Sequence, residues 1–144
     1  MYKLLLIMLL ATTTLFAAQV KWAKDFKNGI ETAKKEKKPV LFIISRDTCK
    51  YCILLEDTTF KNEQVVEVLN KDFIAIRSWT NENDFIPQDL RRATPGLPGI
   101  WFLNSQGEPM YRPLLGYVGA EKFYGALGVV KKSFTTQNNN KNGK

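Results

Sequence analysis

Apolar positions along the chain recur at two spacings, which predict amphipathic helices alternating with short buried strands. Helical spacing through polar neighbours is found in three stretches, at residues 22–36, 65–69 and 123–130. Uninterrupted runs of strand-forming residues are found in three others, at residues 40–44, 73–76 and 100–103. About 28 residues of helical pattern separate the first two runs, which suits a right-handed crossover between parallel strands.

Turn-forming residues divide the second half of the chain. Pro87 precedes a short predicted helix, and the Pro- and Gly-rich residues 95–99 predict a turn before the third strand. That strand is predicted to form a hairpin through residues 104–107 with a partner strand at 110–112. Residues 133–144 are polar and rich in asparagine, and we expect them to be disordered.

The first 18 residues have the pattern of a secretory signal peptide. A basic start at Lys3 is followed by an apolar stretch that ends in the small residues Ala17 and Ala18. This stretch is shorter than the roughly 20 residues that a membrane-spanning helix needs. We therefore predict a signal peptide at 1–18, cleaved or kept as an anchor, one domain at 19–132, and a periplasmic or secreted protein.

Composition excludes several classes of site. The 144 residues, 44% of them hydrophobic, suffice for one globular domain. The chain has no histidine, which excludes histidine triads, histidine-ligated zinc and histidine pH sensing, and its two cysteines exclude a multi-disulfide scaffold. The formal charge of +7 would suit nucleic acid in a cytoplasmic protein, but for an exported one we expect a solvated basic face and no nucleic-acid partner.

Both cysteines lie in one motif, Cys49-Lys50-Tyr51-Cys52. Covalent haem attachment needs a histidine after the second cysteine, where Ile53 stands. A zinc site would need a second chain to supply its own cysteine pair, and a purely structural disulfide across so short a loop would stabilise the fold by only about 2 kcal/mol. These two alternatives stay open, but a redox-active dithiol without metal or other cofactor fits the motif better.

The place of the motif in the chain supports redox chemistry. It follows a buried strand and begins a predicted helix, so Cys49 lies where the helix dipole and free N–H groups favour a thiolate. Cys52 lies one turn further on, close enough to attack a mixed disulfide formed by Cys49. Cys49 is therefore the predicted nucleophile and Cys52 the predicted resolving thiol. Lys50 and Tyr51 are predicted to tune the motif, Lys50 through its positive charge.

Other segments accompany the motif in the order found in a known family. They are Lys38-Pro39-Val40-Leu41-Phe42 before the motif, Phe60, Val65 and Phe73 after it, then Gly96-Leu97-Pro98 and Gly116-Tyr117. With them the chain resembles thioredoxin-fold proteins, in particular exported ones with a helix before the first core strand. The resemblance runs from Trp22 to about Val130. It implies an α/β fold with a central mixed β-sheet flanked by helices and an N-terminal amphipathic helix.

The resemblance also implies a second part of the site. Pro98 is expected to be a cis-proline facing the dithiol, with Leu97 offering main-chain groups to a substrate peptide. The chain departs from the family at three positions. Ile43 stands where a buried carboxylate assists the resolving thiol, Thr48 replaces a tryptophan, and Gly99 replaces the threonine that often follows the cis-proline.

Two acidic residues near the motif are candidates to replace the missing carboxylate. We expect Asp47 and Glu56 to be solvated charges instead, on a loop and on a helix. Trp79 and Trp101 are expected to pack in or beside the core rather than to stack on a substrate.

The sequence thus predicts an exported thiol–disulfide oxidoreductase that acts on protein substrates through a mixed disulfide on Cys49. The resemblance favours a reductase, while an oxidase or isomerase stays open. Because an exported reductase needs a supply of electrons, a membrane electron donor or acceptor is an expected partner of this predicted monomer. The rival interpretation is a non-catalytic binding module that presents the Pro98 loop to one partner.

Overall fold

The computed structural model of the chain describes residues 18–143, so residues 1–17 of the predicted signal peptide lie outside the described part. Five helices and four strands lie within it. In chain order they are α1 Phe26–Glu36, β1 Val40–Ser45, α2 Lys50–Asp57, α3 Glu63–Asp72, β2 Ile74–Trp79, α4 Gln88–Arg92, β3 Gly99–Leu103, β4 Leu114–Leu115 and α5 Ala120–Asn142. One turn of 3₁₀ helix, Thr59–Lys61, joins α2 to α3.

The strands form one mixed sheet in the order β2-β1-β3-β4. β1 runs parallel to β2 and antiparallel to β3, and β4 runs antiparallel to β3. All six residues of β1 are buried, as predicted for a strand covered on both faces. The predicted α/β fold with a central mixed sheet and an N-terminal amphipathic helix is confirmed.

Alternation along β1 divides the core into two layers. Leu41 and Ile43 join the apolar cluster formed with α2, α3 and α5. Val40, Phe42 and Ile44 join the cluster formed with α1 and α4. The two layers hold the sheet between helices, with the end of β1 leading directly to the motif at the start of α2.

The first helix begins later than the sequence predicts. Asp25 caps it by accepting a hydrogen bond from the Asn28 N–H at 2.8 Å, as a short acidic side chain at this position does. Trp22 lies before the cap and forms a bridge with Ala75 on the outer edge of β2. Its apolar side chain therefore packs against the sheet rather than on the helix.

The partner of β3 also differs from the prediction. The strand predicted at 110–112 is wrong, and β4 pairs with the beginning of β3 instead. The Met110 N–H donates to the Phe102 carbonyl, but Pro109 and Pro113 have no N–H to donate. The hydrogen-bond ladder therefore does not extend through residues 110–112.

The predicted disorder of residues 133–144 does not match the described part of this segment, where α5 continues to Asn142. Phe134 is buried, and the Thr135 and Thr136 hydroxyls donate back to backbone carbonyls one turn earlier. Lys131 pairs with Asp72 of α3 at 2.9 Å. None of the described helices is long and apolar enough to cross a membrane.

Candidate active site

Cys49 is the N-cap residue of α2. Its backbone is extended, and its sulfur accepts a hydrogen bond from the Cys52 N–H at 3.3 Å. The sulfur thus takes the place that a Ser or Asp oxygen takes at other helix N-termini, close to backbone N–H groups and to the positive end of the helix dipole.

The two sulfur atoms differ in their exposure. Cys49 is half-buried, whereas Cys52 is only 1% exposed, and both are free thiols. Burial raises the pKa of the Cys52 thiol from 9.0 to about 11, and a hydrogen bond with Cys49 adds to the rise. The arrangement therefore offers one accessible sulfur and one protected neutral thiol behind it.

The loop before β3 lies opposite the dithiol. The Cys49 thiol donates to the Leu97 carbonyl at 3.8 Å, and the Leu97–Pro98 peptide bond is cis. The Pro98 carbonyl accepts a hydrogen bond from the Gly116 N–H at 2.9 Å, which ties the loop to the sheet. The structure therefore brings together Cys49, Cys52, Leu97 and Pro98, which are far apart in the sequence.

Lys50 and Tyr51 follow Cys49 in the first turn of α2. Both are exposed, Tyr51 by 52%. Neither side chain forms an ion pair or hydrogen bond within residues 18–143. They are therefore surface residues next to Cys49 in the chain.

Comparisons with known proteins agree with this geometry. A family model described as a thioredoxin-like domain matches residues 26–131. The chain belongs to this family. Membership, with Cys49 and Cys52 spaced as Cys-x-x-Cys, supports thiol–disulfide oxidoreductase activity.

Similar proteins extend the comparison. Spermatogenesis-associated protein 20 of Rattus norvegicus is 28% identical over 120 residues, which cover 81% of this chain but only 15% of that protein. The chain thus spans about 15% of the length of such curated relatives. The reduced DsbD C-terminal domain of Neisseria meningitidis superposes with a TM-score of 0.53 and 28% identity, covering 71% of this chain and 90% of that one. DsbH oxidoreductase shares the fold, with a TM-score of 0.65, 16% identity, and coverage of 86% and 92%.

The local packing in this thioredoxin-like domain explains why residue 99 is a glycine. A Cβ atom at this position would overlap the side chain of Thr94. The Thr94 hydroxyl is held in place, since it donates to the Leu90 carbonyl and accepts from the indole N–H of Trp101. Trp101 is 4% exposed and packs in the core, as the sequence predicts.

The prediction that Glu56 is a solvated charge is wrong. Its side chain is only 22% exposed and forms an ion pair with Arg77, which lies beside Ile43 in the β1–β2 register. The Arg77 guanidinium also lies 4.5 Å from the ring centroid of Trp22 and 4.8 Å from that of Trp79. Sequence reasoning missed this cluster because the pairing of β1 with β2 brings its members together, and no local motif marks it.

Proposed function

We propose that this thioredoxin-like domain reduces disulfides in protein substrates, with Cys49 as the attacking nucleophile and Cys52 as the resolving thiol. The observation that best supports this proposal is the unequal exposure of the two sulfur atoms. Cys49 is half-buried at the start of α2 and faces the Leu97–Pro98 loop, while Cys52 is 1% exposed. A substrate disulfide can therefore reach Cys49 but not Cys52.

The reaction has two exchange steps. In the first, the Cys49 thiolate attacks one sulfur of the substrate disulfide, forming a mixed disulfide and releasing the other substrate sulfur as a thiolate that takes up a proton. In the second, Cys52 loses its proton to water or to a released thiolate, and its sulfur attacks that of Cys49. The second substrate sulfur leaves reduced, and the domain keeps a Cys49–Cys52 disulfide, so two electrons pass to the substrate. No cofactor takes part.

The Leu97–Pro98 loop supplies the substrate-binding surface in this proposal. The Leu97 carbonyl lies 3.8 Å from the Cys49 sulfur, so a peptide seated there has its disulfide within reach of the nucleophile. Once the Cys49 thiol has lost its proton it no longer donates to the Leu97 carbonyl, so main-chain groups of Leu97 can bond to an extended substrate segment. Lys50 and Tyr51 contact the substrate from the exposed side of α2.

The same proposal includes the cellular compartment of the protein and the direction of electron transfer. The pattern of residues 1–18 supports an exported, periplasmic or secreted protein. In that oxidising compartment, a membrane electron donor would return the dithiol to its reduced form. The reduction potential measured against glutathione distinguishes the directions, since about −270 mV is expected for a reductase and about −120 mV for an oxidase.

Substrate trapping tests the roles of the two cysteines. A Cys52→Ser variant is expected to accumulate mixed disulfides with extract proteins, because nothing can displace the substrate from Cys49. Non-reducing gels followed by a reducing second dimension measure this accumulation. The matched Cys49→Ser variant keeps the other sulfur and is expected to trap nothing.

Two outcomes would contradict the proposal. Equal trapping by Cys49→Ser would show that Cys52 is also open to substrates. No trapping by Cys52→Ser, together with no insulin reduction by the wild-type chain, would favour a non-catalytic binding module.

A further inference from the structure

Ser45 occupies an unusual position for a polar residue. It is the last residue of β1, is 1% exposed, and lies on the same face of the strand as Leu41 and Ile43. That face is covered by α2, which contributes the buried Cys52 and Leu55. A hydroxyl therefore stands at the end of an otherwise apolar row, under the first turn of α2.

The Ser45 hydroxyl has no hydrogen-bond partner within residues 18–143. Buried hydroxyls are normally bonded, since an unpaired one costs free energy. Ser78 provides the contrast. It is buried on the neighbouring strand β2, and its hydroxyl donates to the Phe85 carbonyl at 2.9 Å. Glu56 Oε1 is also buried without a partner among the described residues, but the other oxygen of that carboxylate bonds Arg77, whereas the Ser45 side chain has no partner at all.

Cys52 is the group that this hydroxyl serves. Burial raises the pKa of the Cys52 thiol, whereas the Ser45 side chain and the backbone of Arg46 lower it. Cys49 acts in the other direction and raises the pKa of Cys52. One turn further along α2, the charge of Glu56 is already balanced by Arg77.

Other charged groups around Cys52 face elsewhere. Lys50 on α2 and the Arg46 and Asp47 side chains of the preceding loop are exposed. The Arg46 side chain donates to the Thr80 hydroxyl. With Ile43 apolar on the same face, Ser45 is the buried polar side chain at the end of β1 that lies on the face covered by α2, the helix that carries the buried Cys52.

We propose that Ser45 is a positioning residue for the second exchange step, whose hydroxyl donates a hydrogen bond to the Cys52 sulfur as that sulfur becomes a thiolate. The inference rests on the proposed resolving role of Cys52. A hydroxyl bonded to an anion stabilises it more than it stabilises the neutral thiol. The bond also holds the sulfur beneath Cys49, so Cys52 gains charge without leaving its buried site. The proton goes to water or to the released substrate thiolate.

The experiment separates the two exchange steps. Reduced full-length protein is mixed with dithiobis-nitrobenzoate, which releases one coloured thiolate when Cys49 attacks and a second when Cys52 displaces the aryl thiol from Cys49. For Ser45→Ala we expect an unchanged first phase. We expect the second phase to be about tenfold slower at neutral pH, with its pH profile moved up by about one unit, the size of one charge-assisted hydrogen bond. Ser78→Ala, which also removes a buried serine hydroxyl, is expected to leave both phases unchanged.

Any other outcome overturns the inference. The pattern of the two phases also distinguishes a failure of the role proposed for Ser45 from a failure of the proposed function. An unchanged second phase in Ser45→Ala, with two phases in the wild type, overturns the role of Ser45 alone. The inference is also overturned if Ser45→Ala slows the second phase without changing its pH profile, or if Ser78→Ala slows that phase equally. Either result would assign Ser45 a packing role. A wild-type chain without a second phase removes the resolving role of Cys52, and the inference fails with it.

Discussion

Cys49 and Cys52 are separated by two residues, yet their sulfur atoms have different surroundings. One caps α2 and faces the Leu97 carbonyl, and the other is buried behind it. The first environment follows from local sequence, because a strand followed by Cys-x-x-Cys and a helix places the first thiol at an N-cap. The second depends on which side chains the sheet brings beneath α2. Sequence patterns therefore do not reveal the contribution of Ser45 or the pairing of Glu56.

The pKa of Cys52 is predicted to change when Cys49 is replaced. In a Cys49→Ala variant, the rise caused by Cys49 is lost while that caused by burial remains, so the pKa of Cys52 should lie between 9.0 and about 11. Thiolate absorbance in the ultraviolet measures it against pH, with the Cys49→Ala/Cys52→Ala double variant as the blank for tyrosine ionisation. A value at or below 9.0 would contradict burial as the main cause.

The ends of a secondary-structure element could be predicted where the residues at those ends have a known capping preference. Asn62 is an example, since it is a typical capping residue placed just before the helical spacing at 65–69, and its side chain accepts a hydrogen bond from the Val65 N–H at 3.1 Å. The beginning of α1 and the position of β4 were not predictable in this way. Trp22 continues the helical spacing but bonds to the sheet, and the strand predicted at 110–112 is prevented by prolines.

The helix cap at Asn62 is predicted to contribute measurably to the stability of the domain. Asn62→Ala is expected to lower the free energy of unfolding by about 1 kcal/mol, because the Val65 N–H loses its acceptor. Urea unfolding followed by circular dichroism measures the change. Asn62→Asp keeps an acceptor oxygen and should stay within about 0.5 kcal/mol of the wild type. Equal losses in both variants would mean that the cap is not the cause.

The fold of the whole molecule could be predicted because three features favour the same architecture. They are the order of helices and strands along the chain, the buried central strand, and the dithiol between a strand and a helix. The extent of α5 could not. Its last turns carry few apolar residues, so composition favours disorder, and the packing of a single side chain decides otherwise. Phe134 is 6% exposed and lines a surface groove together with Pro39 and Asp72.

Phe134 is therefore predicted to contribute to the stability of the whole domain. Phe134→Ala should lower the free energy of unfolding by about 3 kcal/mol, through lost apolar contact and the cavity left behind. Val129→Ala on the same helix is the control, because Val129 is 59% exposed and should change stability by less than about 0.5 kcal/mol. Thermal or urea unfolding measures both. A small effect of Phe134→Ala would mean that the end of α5 is not part of the cooperative unit.

The bridge between Trp22 and Ala75 changes what the outer edge of the sheet exposes. A bare outer strand offers unpaired N–H and C=O groups on which a strand of another chain can assemble. The segment before α1 lies along β2, and the Ala23 N–H donates to the Ala75 carbonyl at 2.8 Å. Within the described residues, the opposite edge ends in β4, which is only two residues long. One edge of the sheet is thus partly covered, and the strand at the other edge is too short to act as a template for a strand of another chain.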